Sequence, residues 1–215
     1  MPGFVARVAL DPTNHSHVFI NVHDNCTEGH NPVCFGVSTD GGSSWDVLDV
    51  PTSIKNGWGE GTFLAPLDET HWLYQNWEVY YTSDSGASWG APYGAAVQGD
   101  YFNLDGDYFL PSGYGVLRST NAGVSWALID SSGYALDAIT GDGSRLFALR
   151  GFQPPDNANF IWSASYDDLD TWSLLDRPGS PDVFSAGGTN LAYDADHHLL
   201  YIATQAGGLW RTVTN

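Results

Sequence analysis

The sequence predicts an all-β fold: a β-propeller of about five blades, each a four-stranded antiparallel sheet, with the last blade incomplete. Three observations predict it. A Ser/Thr-x-Asp-x-Gly-x-Ser/Thr-Trp pattern recurs at intervals along the 215 residues, and a period of roughly 40–45 residues is the length of one propeller blade. Aromatic residues make up 14% of the chain, with 25 Gly and 11 Pro; the first favour pleated, half-buried surfaces and the others turns. No window of helical length repeats its apolar residues at a 3.6 period.

The pattern occurs four times. Its copies are Ser38-Thr39-Asp40-Gly41-Gly42-Ser43-Ser44-Trp45, Thr82-Ser83-Asp84-Ser85-Gly86-Ala87-Ser88-Trp89, Ser119-Thr120-Asn121-Ala122-Gly123-Val124-Ser125-Trp126 and Ser165-Tyr166-Asp167-Asp168-Leu169-Asp170-Thr171-Trp172. They start 44, 37 and 46 residues apart. Strand-like runs precede and follow each copy, so each reads as a hairpin turn between neighbouring strands. The residue types suit that place. A Ser/Thr hydroxyl and an Asp carboxylate accept from backbone N–H groups that a tight turn leaves unpaired. Gly takes backbone angles that a side chain disfavours, and the Trp ring covers the turn. Asn121 in place of Asp and Leu169 in place of Gly predict looser third and fourth turns.

These four copies resemble the Asp-box, or bacterial-neuraminidase, repeat of sialidases, sortilin-type receptors, xyloglucanases and related secreted propellers. The resemblance covers nearly the whole chain as repeat architecture. It implies that Ser38, Asp40, Gly42, Trp45, Thr82, Asp84, Gly86, Trp89, Ser119, Asn121, Gly123, Trp126, Ser165, Asp167 and Trp172 are structural, away from any catalytic face. It implies fold far better than activity.

A second recurrence sets the blade count. Asp-containing turns end the inner strands at Leu10-Asp11-Pro12, Leu67-Asp68-Glu69, Leu104-Asp105-Gly106, Gly141-Asp142-Gly143 and Tyr193-Asp194-Ala195. Five turns give five blades, at about 3–52, 57–95, 98–131, 133–178 and 186–215, in a single domain 1–215. Gly208-Leu209-Trp210-Arg211-Thr212 aligns with Gly115-Val116-Leu117-Arg118-Ser119, so the fifth blade lacks its outer strand. Three arrangements accommodate this: a three-stranded last blade, a longer propeller, or dimerisation in which two chains complete each other. An open strand edge invites pairing.

The formal charge of −18 repels phosphate backbones and anionic lipid, which argues against nucleic-acid or membrane-surface partners. No stretch is long and apolar enough to insert in a bilayer, and no basic-plus-apolar signal segment precedes the first strand-like run. Cys26 and Cys34 enclose a turn-rich loop. A disulfide there would imply an oxidising compartment and contribute about 2–3 kcal/mol; the alternative is two buried free thiols. The expectation is a secreted, cell-surface or periplasmic protein.

Ligands of propellers enter mostly at the mouth of the central channel, on the loops leading into the inner strands. Here these are Asn56–Gly61, Gln98–Phe102 and Gly133–Asp137. Glu60, Asp100 and Asp137 are the candidate catalytic carboxylates, since two acids held close have split pKa values and can cleave a glycosidic bond; the alternative is that Asp100 and Asp137 cap backbone donors. Trp58, Trp77, Tyr101 and Tyr134 are aromatics outside the repeats that could stack on sugar faces, or fill gaps between blades. No cofactor is expected and no transition-metal site, because the histidines lack ligand-grade spacing; calcium is the one ion that acidic turns such as Asp105-Gly106-Asp107 could hold, without a full ligand loop. No Gly-x-Ser-x-Gly elbow or phosphate-binding Gly-rich loop occurs.

A sialidase needs clustered arginines for the substrate carboxylate. Of Arg7, Arg118, Arg145, Arg150, Arg177 and Arg211, only Arg7 falls on an inner strand. Xyloglucanases of the resembling family use a cleft between two propellers. The expectation is an extracellular propeller binding a carbohydrate or protein ligand at its channel mouth; the alternative is a glycoside hydrolase or polysaccharide lyase using the mouth carboxylates.

Overall fold

A computed structural model describes residues 5–22, 30, 34–51, 54, 63–97, 99–129, 135–150, 160–175, 188–204 and 208–214. Among these there is no helix. Eighteen strands are described, and the chain divides into two compact units, Met1–Val97 with Ala122–Val124, and Gln98–Asn121 with Ser125–Asn215.

In the first unit, β1 (Val5–Leu10), β2 (Val18–Val22), β3 (Cys34–Ser38) and β4 (Asp46–Asp49) pair antiparallel in chain order. Strands β5 (Phe63–Pro66), β6 (Trp72–Thr82) and β7 (Tyr93–Val97) follow, each pairing with the next. Strand β6 spans eleven residues but doubles back on itself: the rings of His71 and Tyr81 lie 6.0 Å apart, as do those of Tyr74 and Tyr80, so the chain reverses in a tight hairpin at Trp77, whose φ is +57°. The ladder with β7 shifts register at the same place, between Trp77 and Glu78. Side chains alternate in a strand, so Trp72 and Tyr74 share one face of β6. They bury there with Phe19, Phe35, Val50, Ile54, Leu64 and Tyr80. The Asn21 side-chain carbonyl joins β2 to β5 by accepting from the Leu64 N–H at 3.0 Å.

In the second unit, β8 (Phe102–Leu104), β9 (Asp107–Ser112), β10 (Gly115–Ser119) and β11 (Ala127–Leu128) form one antiparallel meander. A second consists of β12 (Leu136–Gly141), β13 (Arg145–Arg150), β14 (Phe160–Ser165) and β15 (Asp168–Leu174). A third has β16 (Gly188–Asp194), β17 (Leu199–Thr204) and β18 (Gly208–Val213). Strand β9, second in its meander, packs on β12, and β12 packs on β16, both first in theirs. One interface buries Phe109, Val116, Leu136 and Leu146; the other buries Phe147, Leu149, Leu191, Leu200 and Ile202.

The first three motif turns share one hydrogen-bond design. Ser38 Oγ donates to Asp40 Oδ1 at 2.8 Å and accepts from the Gly42 N–H at 2.8 Å. Asp40 in turn accepts from the Ser44 N–H and hydroxyl, at 2.8 and 2.7 Å. Thr82, Asp84, Gly86 and Ser88 repeat this set. The third turn is no looser for carrying Asn: Asn121 Oδ1 still accepts from the Ser119 hydroxyl and the Ser125 N–H, while its amide donates to Ser125 Oγ at 2.9 Å. Gly86 and Gly123 have φ of +83° and +82° and also make close approaches. A Cβ at Gly86 would stand 2.9 Å from Leu48 Cδ2, and one at Gly123 would stand 2.5 Å from Leu73 Cδ2.

The fourth copy departs from this design. Ser165 and Asp168 face each other across the ladder, leaving the two-residue turn Tyr166-Asp167. Leu169 then continues β15 and is buried; without glycine the open turn is not built, and a tighter one replaces it. Only the tryptophan keeps its role: Trp172 Nε1 donates to the Leu169 carbonyl at 2.9 Å, as Trp45 does to Gly42 at 3.0 Å.

The inner-strand turns are closed by their aspartates. Asp11, Asp68 and Asp142 each accept two backbone N–H bonds from residues two and three positions on, as in Asx-turns. Asp194 accepts one from His197. Asp105-Gly106 instead takes two positive φ angles, +51° and +90°, as in a hairpin turn of Asp-Gly type.

Candidate functional site

Two clusters near strand starts hold the predicted site residues that the structure describes, one in each unit. Trp58, Glu60 and Tyr134 lie outside the described residues, and so does Cys26. Cys34 opens β3 and is buried.

In the first unit, the start of β5 pairs with the middle of β6, Phe63 opposite Gln75. Two residues beyond Gln75 stands Trp77, 63% exposed. Its positive φ belongs to the tight turn of the β6 hairpin, which presents a large flat ring to solvent at the hairpin tip. Gln75 is buried, and its Nε2 has no hydrogen-bond partner among the described residues. The Nδ2 of buried Asn21 is likewise unpartnered. Both amides went unremarked in the sequence. Their signal was a carboxamide inside an apolar strand run, Val18-Phe19-Ile20-Asn21-Val22 and Trp72-Leu73-Tyr74-Gln75.

In the second unit, the loop before β8 and the first turn of β12 touch. A Cβ at Gly99 would fall 2.1 Å from the Asp137 carbonyl oxygen and 2.9 Å from Pro111 Cγ, so the two backbones meet where only glycine fits. Asp100, exposed, follows Gly99 directly, which brings the two predicted carboxylate positions onto adjoining segments. Asp137 sits at a register shift in β12 between Leu136 and Ala138, and burial raises its pKa to about 6. Desolvation is the cause; a second carboxylate at pairing distance would add charge repulsion to it. Tyr101 leans back on its own sheet, with its ring 5.6 Å from that of Tyr108.

The remaining polar clusters hold the fold together. Arg118 Nε donates to Asp107 Oδ2 at 2.9 Å, and the Tyr166 hydroxyl donates to the same oxygen at 2.9 Å. The guanidinium also lies over the rings of Phe109 and Tyr166, 5.9 and 6.0 Å from their centroids, ties that join β9 and β10 to the turn before β15. Burial and this bond to Asp107 raise the Tyr166 pKa. Asp107, one of the acids of the turn considered for calcium, is thereby committed to a cation already. His17 Nδ1 lies 3.1 Å from Asp11 Oδ2, with its ring on Phe19 and Trp72. Burial works to raise the Asp11 pKa, but the bonds from Thr13, His17 and Asn14 outweigh it and hold the carboxyl below its ordinary value. Among the described residues no three His, Cys, Asp or Glu side chains gather as a metal site.

No family model and no curated protein matches the sequence. Solved structures do. YCF48 from Cyanidioschyzon merolae has a TM-score of 0.61 at 13% identity, over 100% of this chain and 69% of that one. The Niastella koreensis GH74 enzyme has a TM-score of 0.59 at 13% identity, over 98% of this chain and 38% of that one. YCF48 bound to D1 peptide has a TM-score of 0.57 at 12% identity, over 98% and 65%. The chain thus spans between about two fifths and about seven tenths of the structures it is similar to. At such identity the likeness concerns the fold alone, and with the antiparallel four-stranded sheets it establishes that the chain is a β-propeller.

Proposed function

We propose that this chain is a ligand-binding β-propeller acting outside the cell, without catalysis, and that it holds a neutral or cationic glycan by stacking on Trp77. The observation that carries the reading is the exposed indole of Trp77 at the tip of the β6 hairpin. A sugar face or a cationic group lies well on such a ring. The amide of Gln75, two residues away and unpartnered among the described residues, supplies a donor for a hydroxyl or carbonyl that enters beside it. The formal charge of −18 favours a ligand that is not acidic. The motif turns resemble Asp-boxes, and that resemblance supports the reading of a secreted repeat propeller. Pairing of Cys34 with Cys26 fits export; both sulfurs resisting alkylation until reductant is added is the expected sign.

A glycan array followed by titration of the best binder tests this reading. Trp77→Ala should weaken binding at least tenfold, about 1.4 kcal/mol, and Asp137→Asn should leave it unchanged. Equal binding by Trp77→Ala and the unaltered chain removes the proposal.

A second reading rests on Asp137. A carboxyl with its pKa near 6 is suited to protonate a leaving group, and one fold neighbour is a GH74 enzyme. Release of reducing ends from a polysaccharide panel, lost in Asp137→Asn, would favour that reading over the first.

A further inference from the structure

Two sheets carry an exposed ring at the same place in the repeat. Trp77, at the tip of the β6 hairpin, stands five residues before Thr82, which opens the second motif copy. Tyr114, at the tip of the hairpin joining β9 to β10, stands five residues before Ser119, which opens the third. The rings are 63% and 58% exposed. Among the described Phe, Tyr and Trp side chains only Trp45 is also exposed, at 38%, and its Nε1 is engaged by the Gly42 carbonyl of its own turn. One exposed ring is ordinary on a protein surface. Two of them 37 residues apart, as their motif copies are, form a pattern.

The tip that carries Tyr114 is held from below. Ser112, 0% exposed, donates through Oγ to the Gly115 carbonyl at 2.8 Å and accepts from the Tyr114 N–H at 3.2 Å. Ser112 and Gly115 pair across the ladder, so the turn between them is Gly113-Tyr114 alone. Gly115 closes it with a φ of +130°, which a side chain disfavours. The backbone beneath the ring is thus fixed before a ligand arrives, and little freedom is left to lose on binding. Among the described residues the Tyr114 hydroxyl makes no hydrogen bond, so it can both donate to and accept from a ligand.

We propose that Tyr114 is a second sugar-stacking site, on the sheet that follows Trp77 in chain order and weaker than Trp77, for a neutral β-linked glycan. The proposal rests on the reading of Trp77 as a glycan platform. A pyranose ring with equatorial substituents presents a flat C–H face that lies on an aromatic ring, while its hydroxyls reach donors and acceptors at the ring edge. The indole is the stronger platform of the two, so Trp77 fills first and Tyr114 at higher concentration. The formal charge of −18 disfavours acidic sugars at either ring.

The probe is cellotetraose, a neutral tetrasaccharide with such faces, titrated into the whole chain with isotope-labelled aromatic rings and followed by nuclear magnetic resonance. The Trp77 and Tyr114 ring signals should both move, on separate curves, with Trp77 the tighter. Tyr114→Ala should abolish the weaker curve, and Tyr114→Trp should tighten it about threefold. Val124→Ala, at a position also 58% exposed, should change neither. A Trp77 signal that moves while Tyr114 stays still would overturn this site and leave the reading of Trp77 intact. A Tyr114 signal that moves while Trp77 stays still would sustain the site and remove that reading. Stillness of both rings would overturn the site as well, with the reading of Trp77 left to its own glycan array.

Discussion

Asp40 and Asp137 are the same side chain on one β-propeller, and their surroundings push them in opposite directions. Asp40 stands in solvent and is ringed by donors: the hydroxyl and N–H of Ser44 and the hydroxyl of Ser38 bring its pKa down to about 2. Asp137 lies between Leu136 and Ala138 against the Gly99 backbone, and burial brings it up to about 6. The first carboxylate is held ionised by bonds to its own turn. The second is kept from ionising by what packs around it. A charge supported by local donors is a structural fastening, whereas one deprived of water without an opposite charge is a reactive or binding group in waiting.

The sharpest way to break this comparison is to separate the segments that bury Asp137. Gly99→Ala would drive a Cβ into the Asp137 carbonyl at 2.1 Å, and a backbone collision of this kind should cost about 3 kcal/mol. Urea unfolding should show it as a lower midpoint. Should Gly99→Ala unfold like the unaltered chain, the contact that desolvates Asp137 does not exist in solution.

Next in size is the contrast between a motif turn that is built and one that is not. Ser38 is 1% exposed and both donates to Asp40 and accepts from Gly42, so Ser38→Ala should cost about 1–2 kcal/mol. Ser165→Ala, at an exposed position of a two-residue turn, should stay within about 0.5 kcal/mol. Thermal melts of the two variants side by side would expose a fourth turn that works like the first by giving equal losses.

The smallest effect is the pH dependence. The folded chain holds the Asp137 proton more tightly than the unfolded chain, whose carboxyl keeps the ordinary value of 3.8, up to about 6. Between these pH values the native state binds more protons, so this group makes stability fall as pH rises. Asp137→Asn should therefore stabilise the protein at pH 7.5 by about 1 kcal/mol after allowing for screening by solvent, and flatten the profile between pH 4 and 6. Asp40 has the opposite sign. Its support is complete above pH 3.8 and is lost as pH falls towards about 2, so Asp40→Asn should lose stability at neutral pH and narrow its deficit in acid.

The turns were legible because the hydrogen bonds that build them join residues four positions apart or fewer. Ser38, Asp40, Gly42 and Ser44 meet whatever the rest of the chain does, and so do Asp68, Thr70 and His71. Even there a local reading went astray where it judged turns by resemblance alone. Asn121 preserves the bonds that Asp40 makes, because an amide oxygen accepts as a carboxylate does, and Leu169 replaces the open turn with a tighter hairpin. Of the site, Asp100 and Asp137 could be anticipated at matching places on adjoining segments, because each lies five residues before an inner-strand turn aspartate, Asp105 and Asp142. Their environments could not. Trp77 looked no different in the sequence from a ring packed between blades.

By itself, then, the sequence determined the all-β character, the repeat period and the chemistry of the turns, because these depend on short-range hydrogen bonds and on side-chain alternation. Tertiary structure alone decided that the indole of Trp77, at the tip of the β6 hairpin, stays exposed. It decided too that Gly99 lies against Asp137, 38 positions away, and that the hydroxyls of Ser163, Ser165, Thr171 and Ser173 line one groove. Burial and exposure are set by which distant segments arrive at a place, and desolvation, strain and open surface follow from that arrival.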